Sequence, residues 1–179
     1  MNWNKQILSV AMFLIASIIS IAQESKTNRV SPVAIISAQY KDAYAKITYS
    51  QPQKHGREIF GKLVPYGQVW RTGANEATEI TLTKDIMVNG TRLKAGTYAI
   101  FTIPEKEKWT IIFNNDVGLW GAYNYNPKRD EMRFEVPTSS TSGEVYEYFT
   151  MQFDQRNEEV DLLMIWDRVK ISVPIRFIN

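Results

Sequence analysis

Residues 169–177, VKISVPIRF, decide the fold class. Val169, Ile171, Val173, Ile175 and Phe177 alternate with Lys170, Ser172, Pro174 and Arg176. A period of two puts the two sets on opposite faces of a strand, so the apolar set meets a core and the polar set meets water. Pro174 has no N–H to donate, which suits an edge or a bulge. The same period recurs towards the N-terminus in Val160, Leu162, Met164 and Trp166; in Phe149, Met151 and Phe153; in Met132, Phe134 and Val136; and in Trp109, Ile111 and Phe113. It is present again in Ile80 and Leu82, and in Ala43, Ala45, Ile47 and Tyr49. In residues 97–103, TYAIFTI, both alternating sets are largely apolar, which predicts a central strand covered on both faces. Asn89-Gly90 between DIMV and TRL predicts a tight hairpin.

Read this way the chain has about ten strands, with short helical turns only at 56–64 and 117–123, and the class is all-β. Short strands joined by some long connections fit an antiparallel two-sheet sandwich, jelly-roll-like, better than a closed up-and-down barrel. The serine and threonine cluster at 138–142 is expected to be a loop.

The full sequence has 179 residues, no cysteine, and 21 basic against 19 acidic side chains for a formal charge of +2. Its first 22 residues hold one charge, Lys5, then an apolar or small run at 7–21, and small residues at Ser20 and Ala22. That is the pattern of a signal peptide cleaved after Ala22; an uncleaved anchor needs about 20 apolar residues, more than this core supplies. The expected organisation is a signal peptide at 1–22, a flexible polar leader at 23–30 and one domain at 31–179, exported to the periplasm or the exterior, with no membrane span left after cleavage. Lysine and arginine are interleaved with acids throughout, which disfavours nucleic acid as a partner. The absence of cysteine rules out disulfides and the lipidated cysteine of a lipoprotein.

Two connections, 51–75 and 114–130, are longer than a compact β domain requires, and loops beyond about 12–15 residues are usually functional or disordered. These are too aromatic to be disordered. The first runs into LVPYGQVWRTGANEATEI at 63–80, and the second holds WGAYNY at 120–125. Gly56-Arg57 with Ile59-Phe60-Gly61, then LVPYGQVWRTGANEAT, LKAGTYAIFTIP, WTIIFN and WGAYNY closely resemble a family of exported bacterial proteins catalogued as domain of unknown function 2911. The resemblance spans nearly all of the chain after residue 22. It implies an exported, mostly β domain and brings no activity, cofactor or partner. The positions that match the family's hallmark segments are Arg57, Trp70, Arg71, Thr72, Gly73, Asn75, Glu76, Trp120, Gly121, Tyr123 and Tyr125.

Trp70 and Trp120 offer flat apolar faces, while Arg71, Asn75, Glu76, Asn124 and the hydroxyls of Tyr123 and Tyr125 offer directed hydrogen bonds. Together they match the two surfaces of a sugar or a peptide group. The expected site is therefore an aromatic and polar cleft between the two loops, with Arg57 beside it, that binds a glycan or a peptide. The structural alternative is that both tryptophans plug the ends of the fold and Arg71 pairs with Glu76 to pin its loop.

Enzymatic readings rest on fewer groups. His55 is the only histidine and no G-x-S-x-G elbow exists, so a serine hydrolase triad is not supported. A glycosidase needs two carboxyl groups across a cleft; Glu76, with Arg71 and either Asp116 or Glu79, is the weak candidate for an envelope-polymer hydrolase. A zinc site is excluded by the absence of cysteine and the presence of only a single histidine, and neither 154–161 nor 114–116 has the spacing of a calcium loop. No cofactor or metal is expected. An envelope structural or interaction protein without a small-molecule site is the remaining class.

Overall fold

The computed structural model describes residues 29–178. The expected signal peptide, and the leader up to residue 28, lie outside the described residues.

The domain is all-β. Its eleven strands are β1 (Val33–Tyr40), β2 (Ala43–Ser50), β3 (Thr78–Leu82), β4 (Ile86–Val88), β5 (Thr91–Leu93), β6 (Gly96–Pro104), β7 (Lys108–Asn114), β8 (Asp130–Ser140), β9 (Tyr146–Arg156), β10 (Glu159–Asp167) and β11 (Val169–Phe177). All of them pair antiparallel, in the order β1-β2-β3-β6-β7-β8-β11-β10-β9, with the β4–β5 hairpin attached to the end of β11. The path is nearly closed into a barrel. Gln155 of β9 donates to the Gln39 carbonyl of β1 at 2.7 Å, and the chain leaving β2 pairs with β9 through Phe149 N–H to Pro52 (2.9 Å) and Lys54 N–H to Glu147 (2.7 Å).

The pairing runs as one path where the sequence pattern suggested two sheets. The joint is β8, which pairs with β7 from Asp130 to Pro137 and with β11 from Thr138 to Ser140. The serine and threonine stretch expected as a loop is thus partly strand. Its side chains carry no burial pattern there, but its backbone groups complete the ladder. The expected helical turns at 56–64 and 117–123 also do not form: isolated bridges join Phe60 to Val64 and Glu76 to Trp120, and the one 3-10 turn among the described residues is Pro127–Arg129.

Alternation fills the interior. Ile47, Ile80, Ile100, Ile111, Leu162, Ile171 and Val173 are inaccessible to water, each on an inward position of its strand. Burying one such side chain contributes about 1.5–3 kcal/mol. The hairpin forms where expected, with Asn89 and Gly90 both at positive φ (46° and 77°), the geometry of its two-residue turn.

β6 is covered twice, as its double apolar pattern predicts. Tyr98 and Ile100 face the interior, while Ala99 and Phe101 join Ile112 of β7 and Ala77 in a second, smaller cluster on the outside of the barrel. Val69, Ile103, Leu119, Ala122 and Tyr125 pack over it. That outer layer places both long connections on one face of the molecule.

Candidate functional site

The first connection exists because β3 is short. β6 continues past it, and the unpaired end of β6 is taken up by the chain at 67–70: Trp70 and Thr102 exchange backbone hydrogen bonds of 2.8 and 2.9 Å, and Gly67 N–H reaches the Pro104 carbonyl at 3.0 Å. Gly73 is required here, because a Cβ at that position would stand 2.8 Å from the Ser50 carbonyl oxygen. Pairing with inward-facing Thr102 turns the Trp70 ring into the barrel. It is 7% exposed, stacks on Trp166 at 5.9 Å, meets Trp109 at 5.9 Å and Phe149 at 5.0 Å edge-on, and donates its indole N–H to the Gly73 carbonyl. Trp70 is a plug at one end of the core.

The second connection crosses the outer face and is pinned by its backbone. Ala77 N–H donates to Leu119 and Gly121 N–H to Asn75, both at 2.9 Å, and Gly118 N–H donates to the Glu79 carboxylate at 2.6 Å. The two loops therefore meet, as expected. Their tryptophans do not: Trp70 is inside, whereas Trp120 is on the surface at 59% exposure. Tyr123 is 85% exposed. Its ring lies against Gly121, at φ +68°, where a Cβ would come within 2.8 Å of the ring.

The Arg71–Glu76 pair of the structural alternative is absent. Both Glu76 carboxylate oxygens instead accept from Arg29 at 2.8 Å. Burial pushes the Glu76 carboxyl up, but its own backbone N–H and the Arg29 guanidinium outweigh this and hold it below the usual glutamate range. Arg29 lies in the leader that the sequence left unstructured, and only its charge could have signalled the contact. Beside the pair is a hollow of about 340 Å³ whose walls include Val33, Ser50, Glu79 and Gly118.

Arg71 follows Trp70 and so points the opposite way, onto the outer face. Its Nε is sealed from water without a hydrogen-bond partner. Burial pulls its guanidinium below the usual arginine range, and the one charge influence upon it, from Tyr123, acts in the opposite sense. Nearby, Tyr125 donates to both oxygens of Asp130 (3.0 and 2.7 Å) and accepts from Arg133 at 3.0 Å, while Asn114 also donates to Asp130 at 2.8 Å. Burial first, then the hydrogen bond to Asp130, push the Tyr125 phenol up to about 12. Tyr125 is thus a brace under the loop. Asp130 and Arg133 complete it, and no spacing rule in the sequence singles them out.

The remaining candidates divide the same way. Arg57 donates to the carbonyls of Lys54 and Gln53 and ties its own turn. Asn75, at φ +57°, reaches Ser31 and Ser50 at 3.4 Å. Asn124 is exposed on the outer loop, and His55 is an exposed turn residue whose N–H meets Glu147 at 2.7 Å. Of the acids in the stretches considered for calcium, Asp116 is held by Arg129, and Asp154 and Asp161 by Arg156. Among the described residues no helix is long and apolar enough to cross a membrane.

A family model described as a protein of unknown function (DUF2911) matches residues 31–175. No curated protein and no solved structure matches the chain.

Proposed function

The chain belongs to the DUF2911 family, and we propose that it is an exported binding protein whose outer face, at the second loop, takes a glycan. The observation that carries this reading is the pair of exposed rings, Trp120 and Tyr123, on a loop that backbone hydrogen bonds hold in place. Large aromatic side chains held rigid with a free face are a ready surface for the C–H face of a sugar ring, and they lose little freedom when it binds. Export to the periplasm or exterior is supported by the apolar run at 7–21 and the small residues that follow it.

The geometry favours binding over hydrolysis. Glu76 is clamped by Arg29 and Glu79 is engaged by Gly118, so neither carboxyl stands free across a cleft as a hydrolytic pair requires.

The test is a thermal-shift screen of residues 23–179 against neutral and acidic oligosaccharides and peptides. Free ligand at about 100 times its dissociation constant stabilises the native state by about 2.7 kcal/mol. A glycan should raise the melting point of the wild type and of Trp70→Phe, but not of Trp120→Ala or Tyr123→Ala. Equal shifts in all four proteins, or shifts with peptides alone, would overturn the glycan reading.

A further inference from the structure

Among the described residues Arg71 is a half-buried cation on the outer face that no anion meets. Two acids of this face are held by other groups. Asp130 is shared by Tyr125, Asn114 and Arg133, and both oxygens of Glu76 belong to Arg29. No described residue accepts a hydrogen bond from the Arg71 guanidinium; Nε is sealed, and the two terminal nitrogens are the edge left open to an incoming group. Half-burying a guanidinium is unfavourable unless an anion meets it, and Arg71 is held there by its place after Trp70, whose ring is locked in the core. Tyr123, close enough to influence its charge, carries one of the two exposed rings.

We infer that Arg71 is the carboxylate-binding residue of this surface, and that the glycan it takes is acidic, with a uronate-type carboxylate on the terminal nitrogens of Arg71 while the sugar ring lies on Tyr123 or Trp120. A planar carboxylate matches two parallel N–H groups of a guanidinium, a geometry that lysine does not reproduce. The inference rests on the proposed glycan binding and adds the charge of the ligand and the residue that reads it.

The experiment compares, by titration calorimetry, a short oligogalacturonate with its methyl ester, which keeps the ring faces and removes the charge. The proteins are the wild type, Arg71→Gln, Arg71→Lys and Trp120→Ala. The wild type should bind the acid about tenfold or more tightly than the ester, the ratio expected of a charge-assisted pair. Arg71→Gln should bring the acid down to the level of the ester and leave the ester unchanged, Arg71→Lys should fall between, and Trp120→Ala should weaken both. Unfolding midpoints of the variants, at or above wild type, show that the fold is intact. Equal binding of acid and ester by the wild type, with no effect of Arg71→Gln, overturns the inference and leaves glycan binding standing. Binding of neither probe, with capture of a peptide through its free C-terminus and not its amide, overturns both.

Discussion

Trp70 and Trp120 come from the two longest connections of the chain, from similar mixtures of glycine, polar and aromatic residues, and the barrel uses them in opposite ways. Trp70 pairs with the end of β6 where β3 has stopped, so its ring enters the core and its loop becomes a missing piece of sheet. Trp120 pairs with Glu76 one layer further out, so its ring faces water. What separates them is the partner strand. A loop that completes a ladder inherits the inward and outward alternation of that ladder, and a loop that lies on top of one is free to present its side chains. An unusual loop sequence is therefore evidence of constraint, and the constraint can be packing or recognition.

The contrast is broken or sharpened first at the core. Trp70→Ala removes a ring that touches Trp109, Phe149 and Trp166 and should cost about 3–5 kcal/mol of stability, read as a lower urea midpoint. A loss below about 1 kcal/mol would mean that the end of the barrel is not closed by this residue. Gly73→Ala comes next. The added methyl meets a backbone oxygen at 2.8 Å, which cannot rotate away, so a loss of about 1–3 kcal/mol is expected. Gly73 is not at positive φ, so this loss reports the clash alone.

On the outer face the sign changes. Arg71→Met removes a partly buried donor that has no partner, so stability should stay level or rise by up to about 1 kcal/mol while acid binding is lost. A clear destabilisation would return Arg71 to the scaffold. The smallest effect belongs to Glu76. Its folded carboxyl is held below the ordinary value of 4.5, so the stabilisation is present above that value and is lost as the pH falls through the folded one. Both partners are well exposed, and the contribution should be under about 1 kcal/mol. The midpoints of wild type and Glu76→Gln should therefore differ slightly near neutral pH and converge in acid. A gap that widens on acidification would show the wrong sign.

Much of the fold was legible because side-chain alternation reports which face is buried. It placed the interior positions of β2, β3, β6, β7, β10 and β11, it marked β6 as covered on both faces, and Asn89-Gly90 located the hairpin. It did not report pairing. The turn of β8 from one neighbour to the next at Pro137 and Thr138, and the near closure of β9 on β1, are made by backbone groups that every residue carries, so they leave no trace in residue type. The candidate site was legible as a neighbourhood: Asn75 and Glu76 meet Gly121 and Trp120 where the two loops touch, and Tyr123 lies close to Arg71. Their division into brace and surface was not. Glu76 found Arg29, forty-seven positions away, instead of Arg71 five away.

The most direct test of this division is Trp120→Ala, measured in one buffer for its unfolding midpoint and for the ligand-induced shift in that midpoint. Removal of a ring that is 59% exposed should leave the midpoint within about 0.5 kcal/mol of wild type while the shift produced by an acidic oligosaccharide disappears. A midpoint that falls as far as that of Trp70→Ala, or a shift that survives, would contradict the account and make Trp120 part of the scaffold.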